Sequence, residues 1–137
     1  MDEWAQDSHL YQTMLTRARF ANAPIDALVW YQGESDGMLS VDADGFLDKL
    51  VDLTTRIRRD LNQPDLLILV VNIWASLERC PLRDDIRYAI AQLPFLVRNV
   101  YVVDAQHSTL LDDNIHLTSQ SQHRIAALLA RTFITTQ

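Results

Sequence analysis

Residues 30–37, Trp-Tyr-Gln-Gly-Glu-Ser-Asp-Gly, bring an amide, two carboxylates and a hydroxyl together directly after an apolar run. Gly33 lets the backbone turn sharply there. The Gln32 amide could donate to an oxyanion, usually the largest single contribution in acyl transfer. A second group, Asp113-Asn114-Ile115-His116, places a carboxylate and an imidazole in one loop. An aspartate so placed can fix the imidazole tautomer and stabilise the imidazolium while the other ring nitrogen takes a proton from a nucleophilic hydroxyl. Glu34 is available for the same orienting task as Asp113. Gly33 to Gly37 also satisfies the Gly-x-Ser-x-Gly elbow pattern, with Asp113 and His116 following in the order Ser, Asp, His, which makes Ser35 a candidate nucleophile. The same residues read equally as a polar turn and as loop and cap residues. Trp30, Tyr31 and Trp74 offer either stacking surface for sugar rings or packing.

The elements that must position these groups alternate between two periods. Leu10, Met14, Leu15, Ala18 and Ala21 repeat at helical spacing behind a capping Ser8, and Pro24 follows. Residues 26–31 are too short and too rich in strand formers for a buried helix, so they predict a strand. Asp44 can cap a helix with the stripe Phe46, Leu47, Leu50, Leu53, Ile57 and Leu61, stopped by Asn62 and Pro64. Leu66 to Val71 is apolar on both faces, as a central parallel strand is. A helix from Asp84 to Leu93, a strand from Val100 to Val103 and a last helix after Thr118 complete the order. Ser119 and Gln122 stand at capping-box spacing, and Ile125, Leu128, Leu129 and Phe133 form the stripe. This alternation predicts a three-layer α/β domain with right-handed crossovers. Each strand ends in polar residues, where ligands of open parallel sheets gather. Three strands make a narrow sheet, so an open edge is expected to take a missing strand or a partner chain, including a second copy.

The chain has 137 residues, 48% apolar and 22% charged, which suits one globular domain over residues 1–137. A formal charge of -6 disfavours phosphate backbones, and Arg56, Arg58 and Arg59 share their helix with Asp48, Asp52 and Asp60, so no nucleic-acid partner is expected. No apolar run approaches the ~20 residues of a membrane span. The start Met1-Asp2-Glu3-Trp4 is unlike a secretory signal, giving a cytoplasmic expectation for the chain as it stands. The lone Cys80 has no disulfide or metal partner and reads as a small packing residue.

Two motifs and their order resemble a known family. Residues 30–36 are similar to the Gln-Gly-Glu block of sialate O-acetylesterases and of carbohydrate esterase family 6 acetylxylan esterases, which are SGNH-type hydrolases. Asp113-Asn114-Ile115-His116-Leu117 looks like their Asp-x-x-His block, and residues 86–92 resemble their Arg-x-Ala-Gln stretch. The resemblance covers roughly residues 10–134. It implies a flavodoxin-like α/β/α sandwich that removes acetyl groups from sugar hydroxyls without a metal or other cofactor. It also implies His116 as general base, Asp113 as its orienting acid, Gln32 as oxyanion donor and Glu34 as the acid of the first block, with Ser35 a structural neighbour. The family nucleophile, however, is the serine of an early Gly-Gln-Ser-Asn segment, and the only glycines here are 33, 37 and 45. The chain therefore reads as a domain beginning after that strand, lacking its nucleophile and inactive alone. The alternatives are an active esterase that uses Ser35 and a non-catalytic sugar-binding or assembly module.

Overall fold

Apolar residues at helical spacing fold into α1 (His9–Phe20), α3 (Ala43–Asp60), α4 (Arg83–Leu96) and α5 (Ser119–Thr135), with a short α2 (Glu34–Met38) between them. The intervening runs form β1 (Ala27–Trp30), β2 (Leu67–Asn72) and β3 (Val100–Asp104). The computed structural model describes residues 1–21, 23–38 and 43–136, without the side chains of Asp2, Ala43 and Asp44. The cap expected of Asp44 thus lies outside the described residues.

The strands form one parallel sheet in the order β1-β2-β3. The register sets Trp30 beside Val70 and Asn72 beside Asp104, so the three C-terminal ends lie along one rim. Alternation along each strand divides the side chains between two layers. Trp30, Ile68, Val70 and Val100 enter the larger core with Tyr11 and Leu15 of α1, Phe46, Leu50 and Ile57 of α3, and Ile86, Ile90 and Leu93 of α4. Fully burying an aliphatic or aromatic side chain of this kind contributes about 1.5–3 kcal/mol. Val71 and Val103 face the other way, into a smaller core with Leu117 and Ile125 that α5 closes. The result is a three-layer α/β/α arrangement in which β1 is an edge strand. Its outward-alternating Val29 remains 51% exposed on the α5 side.

Local chemistry explains the boundaries. Ser8 caps α1 by accepting from the Tyr11 N–H. Asn62, in the left-handed region at φ 54°, ends α3, and the Gln63 N–H returns to the Arg58 carbonyl. α4 outruns its expected end at Leu93. Pro94 cannot donate to the Ile90 carbonyl, but near a helix end that costs one bond, and Val97 N–H closes on the Leu93 carbonyl. The expected Ser119/Gln122 box is replaced by a Thr118 cap: its hydroxyl accepts from Ser121 N–H, while the Gln122 amide reaches the Leu117 carbonyl. α2 carried no sequence signal, being one turn long, polar and interrupted by Gly37. Among the described residues no helix is long and apolar enough to cross a membrane.

The basic residues of α3 serve the fold. Arg58 is buried, and its guanidinium donates to the carbonyls of Leu66, Arg98 and Asn99, which tie the starts of β2 and β3 together. Arg56 pairs with Asp52 and Arg59 with Asp60. Cys80 is fully buried with its Sγ 3.6 Å from the Glu34 carbonyl oxygen.

Candidate active site

β1 delivers its last residues to the C-terminal rim of the sheet, and Gly33 turns the chain at φ 143°, where side chains are strained. A Cβ at this position would sit 2.9 Å from Ile86 Cγ2 and 3.4 Å from Ile73 Cγ2, so both backbone freedom and space require glycine. α2 begins at the next residue, which fixes Glu34 at the rim. Burial, the largest influence, raises the Glu34 carboxyl above its ordinary range against the smaller opposing effects of backbone N–H groups and His116. Burial followed by the Glu34 charge likewise pushes the Tyr31 phenol up.

The loop between β3 and α5 is folded back by a bridge between Leu110 and Leu117, which brings Asp113 to His116. Asp113 Oδ1 accepts the N–H groups of Ile115 (3.0 Å) and His116 (2.9 Å), and Oδ2 lies 2.5 Å from His116 Nδ1. The hydrogen bond to the imidazole, then those from the two backbone N–H groups, hold Asp113 at about 2. An ionised carboxylate only accepts, so Nδ1 carries the proton and Nε2 is the nitrogen left to act as a base. The same bond, followed by the charge of Asp113, raises the pKa of His116. Asp113, and not Glu34, is the group bonded to the imidazole. The two side chains are exposed, His116 by 72%.

These groups surround one cavity of about 630 Å³ beside β1. Val29, Tyr31 and Val71 line it from the sheet and its end, Glu34, Ser35 and Met38 from α2, and Ile115, His116 and Leu117 from the loop. Gln122, Ile125, Ala126 and Leu129 of α5 close the far wall. The cavity thus gathers His116, Glu34 and Ser35, with Asp113 behind the imidazole. Gly33 and Gln32 do not line it.

Gln32 takes a place that the sequence did not reveal. Its Nε2 donates to Asp36 Oδ2 at 2.5 Å, while its Oε1 is buried without a partner among the described residues. Asp36 is itself buried and also receives the α-amino group of residue 1. The spacing of four residues from Gln32 to Asp36 was visible, but only the short α2 turns it into a contact. Ser35 occupies the first turn of α2, exposed, with ordinary negative φ, whereas an elbow serine sits on a strained turn; the residue with positive φ here is Gly33. Among the described residues, Ser35 makes no hydrogen bond to His116.

The aromatics separate as well. Trp30 is buried and meets Trp4 edge-on at 4.8 Å, which removes it as a platform for a sugar ring. Trp74 has the Arg83 guanidinium 4.2 Å from its ring centre and His107 beside it at 5.7 Å. Tyr31 alone of the three faces the cavity.

Similarity to known proteins agrees with this arrangement. A probable carbohydrate esterase of Arabidopsis thaliana, At4g34215, is 36% identical over 135 residues, a match that takes in 96% of this chain and 50% of the relative. The X-ray structure of the Arabidopsis AT4G34215 protein superposes with a TM-score of 0.89 at 35% identity, over 98% of this chain and 56% of that one. The chain therefore spans about half the length of the curated relative it matches. The family model described as carbohydrate esterase, sialic acid-specific acetylesterase, matches residues 1–135, and the chain belongs to this carbohydrate esterase family.

Proposed function

We propose that this chain forms the acid and base side of a carbohydrate O-acetylesterase site of SGNH type. His116 acts as general base, Asp113 orients it, and Glu34 borders the reacting acyl group. The substrate class is an acetyl ester on a sugar hydroxyl, of the sialate or acetylxylan kind, hydrolysed through an acyl-enzyme by a Ser/His/Asp mechanism. The observation that supports this reading is the Asp113–His116 pair, held at the lip of a cavity that also takes Glu34 and Tyr31. The hydroxyl that His116 would deprotonate comes from a segment outside these residues, so the chain by itself is expected to turn over poorly. Removing triad members elsewhere leaves only about 10³–10⁴-fold catalysis over water from binding and oxyanion stabilisation. Hydrolysis of p-nitrophenyl acetate and of an acetylated sugar by the purified chain tests the proposal. Turnover near background supports it; robust turnover that His116→Ala abolishes overturns the external nucleophile. A fluorophosphonate label on Ser35, lost in Ser35→Ala, would assign the nucleophile to Ser35 instead.

The open β1 edge favours a second reading, in which the chain assembles with a copy of itself through that strand. Exposed Val29 and Tyr31 support it, since edge strands present unpaired backbone groups to a partner. Sedimentation giving a monomer at all concentrations removes it.

A further inference from the structure

We propose that Asn114 is a positioning residue for His116, acting through its left-handed backbone and not through its side chain. The proposal rests on the reading of His116 as the base of the site. Asn114 has φ 59°, and it stands between the two members of the Asp113–His116 pair. The reversal at this residue returns the N–H groups of Ile115 and His116 to Asp113 Oδ1, while Oδ2 meets the imidazole. Both backbone groups of Asn114 are engaged. Its N–H donates to the Leu111 carbonyl at 2.9 Å, which closes the turn, and its carbonyl accepts the Ser76 N–H at 2.9 Å. Ser76 follows β2, so this last bond ties the loop that carries the base to the end of the central strand. Ser76 is itself fixed, its carbonyl accepting from Cys80 N–H and its hydroxyl oxygen from Arg79 N–H.

The side chain of Asn114 is exposed and forms no hydrogen bond among the described residues, so packing does not account for the residue type. Backbone conformation does. Asparagine visits the left-handed region readily, glycine more so, and a β-branched residue there is a rare outlier. Replacing Asn114 by glycine should therefore keep the loop, whereas valine should drive it to a conformation with φ below zero. The Asp113–His116 bond and the Ser76–Asn114 bond then part together. The carboxylates that act on the imidazole are Asp113 of its own loop and Glu34 of α2, and only the first moves with the turn.

The test is a nitrogen-detected NMR titration of His116 in the whole chain, assigned with His116→Gln, in the natural sequence, Asn114→Gly and Asn114→Val. The natural chain and Asn114→Gly should titrate above 6.5 with Nδ1 protonated, and Asn114→Val should fall back toward that ordinary value. Amide exchange at Ser76 should quicken by a factor of about 5–30 in Asn114→Val, from the usual bias against left-handed backbone. If Asn114→Val does not fold, Asn114→Ala against Asn114→Gly carries the same comparison. A folded valine or alanine variant with the natural titration overturns the proposal, as does an equal loss in the glycine variant. Lower thermal stability with an unchanged titration also overturns it, because that is what a merely structural residue would give. None of these readouts needs a nucleophile, so they stand apart from the outcome of the esterase assays.

Discussion

Gly37→Ala should destabilise the chain when Cys80 is present and stabilise it when Cys80 is replaced by alanine. Gly37 lies within α2, and a Cβ there would stand 2.4 Å from Cys80 Sγ, against 3.5 Å to the next nearest atom, Ile86 Cγ1. Real Cβ atoms do not approach so closely, so about 1 Å of movement is required, and Cys80 has little room to supply it. It is fully buried, its N–H bonded to the Ser76 carbonyl and its carbonyl to Arg83 N–H. Overpacking of this kind costs about 1–3 kcal/mol. Against it stands the gain of about 0.5–1 kcal/mol that alanine brings over glycine within a helix. At mid-range the net expectation is a loss of about 1 kcal/mol in the natural background, and in Cys80→Ala, where the sulfur is gone, a gain of about 0.5–1 kcal/mol. Urea denaturation of the four proteins, with the slope held common, measures both numbers and their coupling. A Gly37→Ala variant that is neutral or more stable beside the natural Cys80 would rule out the clash with Sγ. So would a loss of the same size in both backgrounds, which would place its cause in the helix and not in the sulfur.

Removing the guanidinium in Arg58→Met should cost about 2–4 kcal/mol in urea denaturation, because the buried Leu66 carbonyl and the partly buried Arg98 carbonyl lose their donor, and Arg58→Lys should recover only part of it. Glu34→Gln should raise the urea midpoint at pH 7 but not at pH 4. Burial raises the folded carboxyl above its ordinary 4.5, so stability is full below 4.5 and is lost as the pH climbs through the folded value; equal effects at both pH values would contradict this. For the Asp113–His116 pair the signs oppose. The depressed Asp113 contributes above its ordinary 3.8 and loses that contribution as the pH falls toward about 2, whereas the raised His116 contributes below 6.5 and loses it as the pH rises through its folded value. The stability difference between the natural chain and His116→Gln should thus be largest between pH 3.8 and 6.5, and a difference that stays flat from pH 2 to 9 would argue against the pair.

The sheet was legible because its signals are long and physically redundant. Leu66 to Val71 could only be a strand covered on both faces, and the stripes of α3 and α5 fixed which side each helix buries. Val29 made the edge visible in the other sense: an apolar residue in an apolar run that stays half exposed on the α5 side among the described residues. The site was legible as residue types but not as geometry. Both Glu34 and Asp113 were candidates to orient His116, and the choice depends on the bridge from Leu110 to Leu117, two residues with no pattern of their own. The engagement of Gln32 by Asp36 depends on α2, which is too short for periodicity to announce it. The left-handed turn at Asn114 was equally hidden, since asparagine also stands in many ordinary loops.

Turnover by the purified chain on an acetylated sugar, compared with its His116→Ala variant, shows whether His116 meets a nucleophile within the chain. Hydrolysis near background is expected in both proteins, because among the described residues no hydroxyl is bonded to the His116 imidazole. Robust hydrolysis that disappears in His116→Ala would contradict this expectation and would require a nucleophile inside the chain.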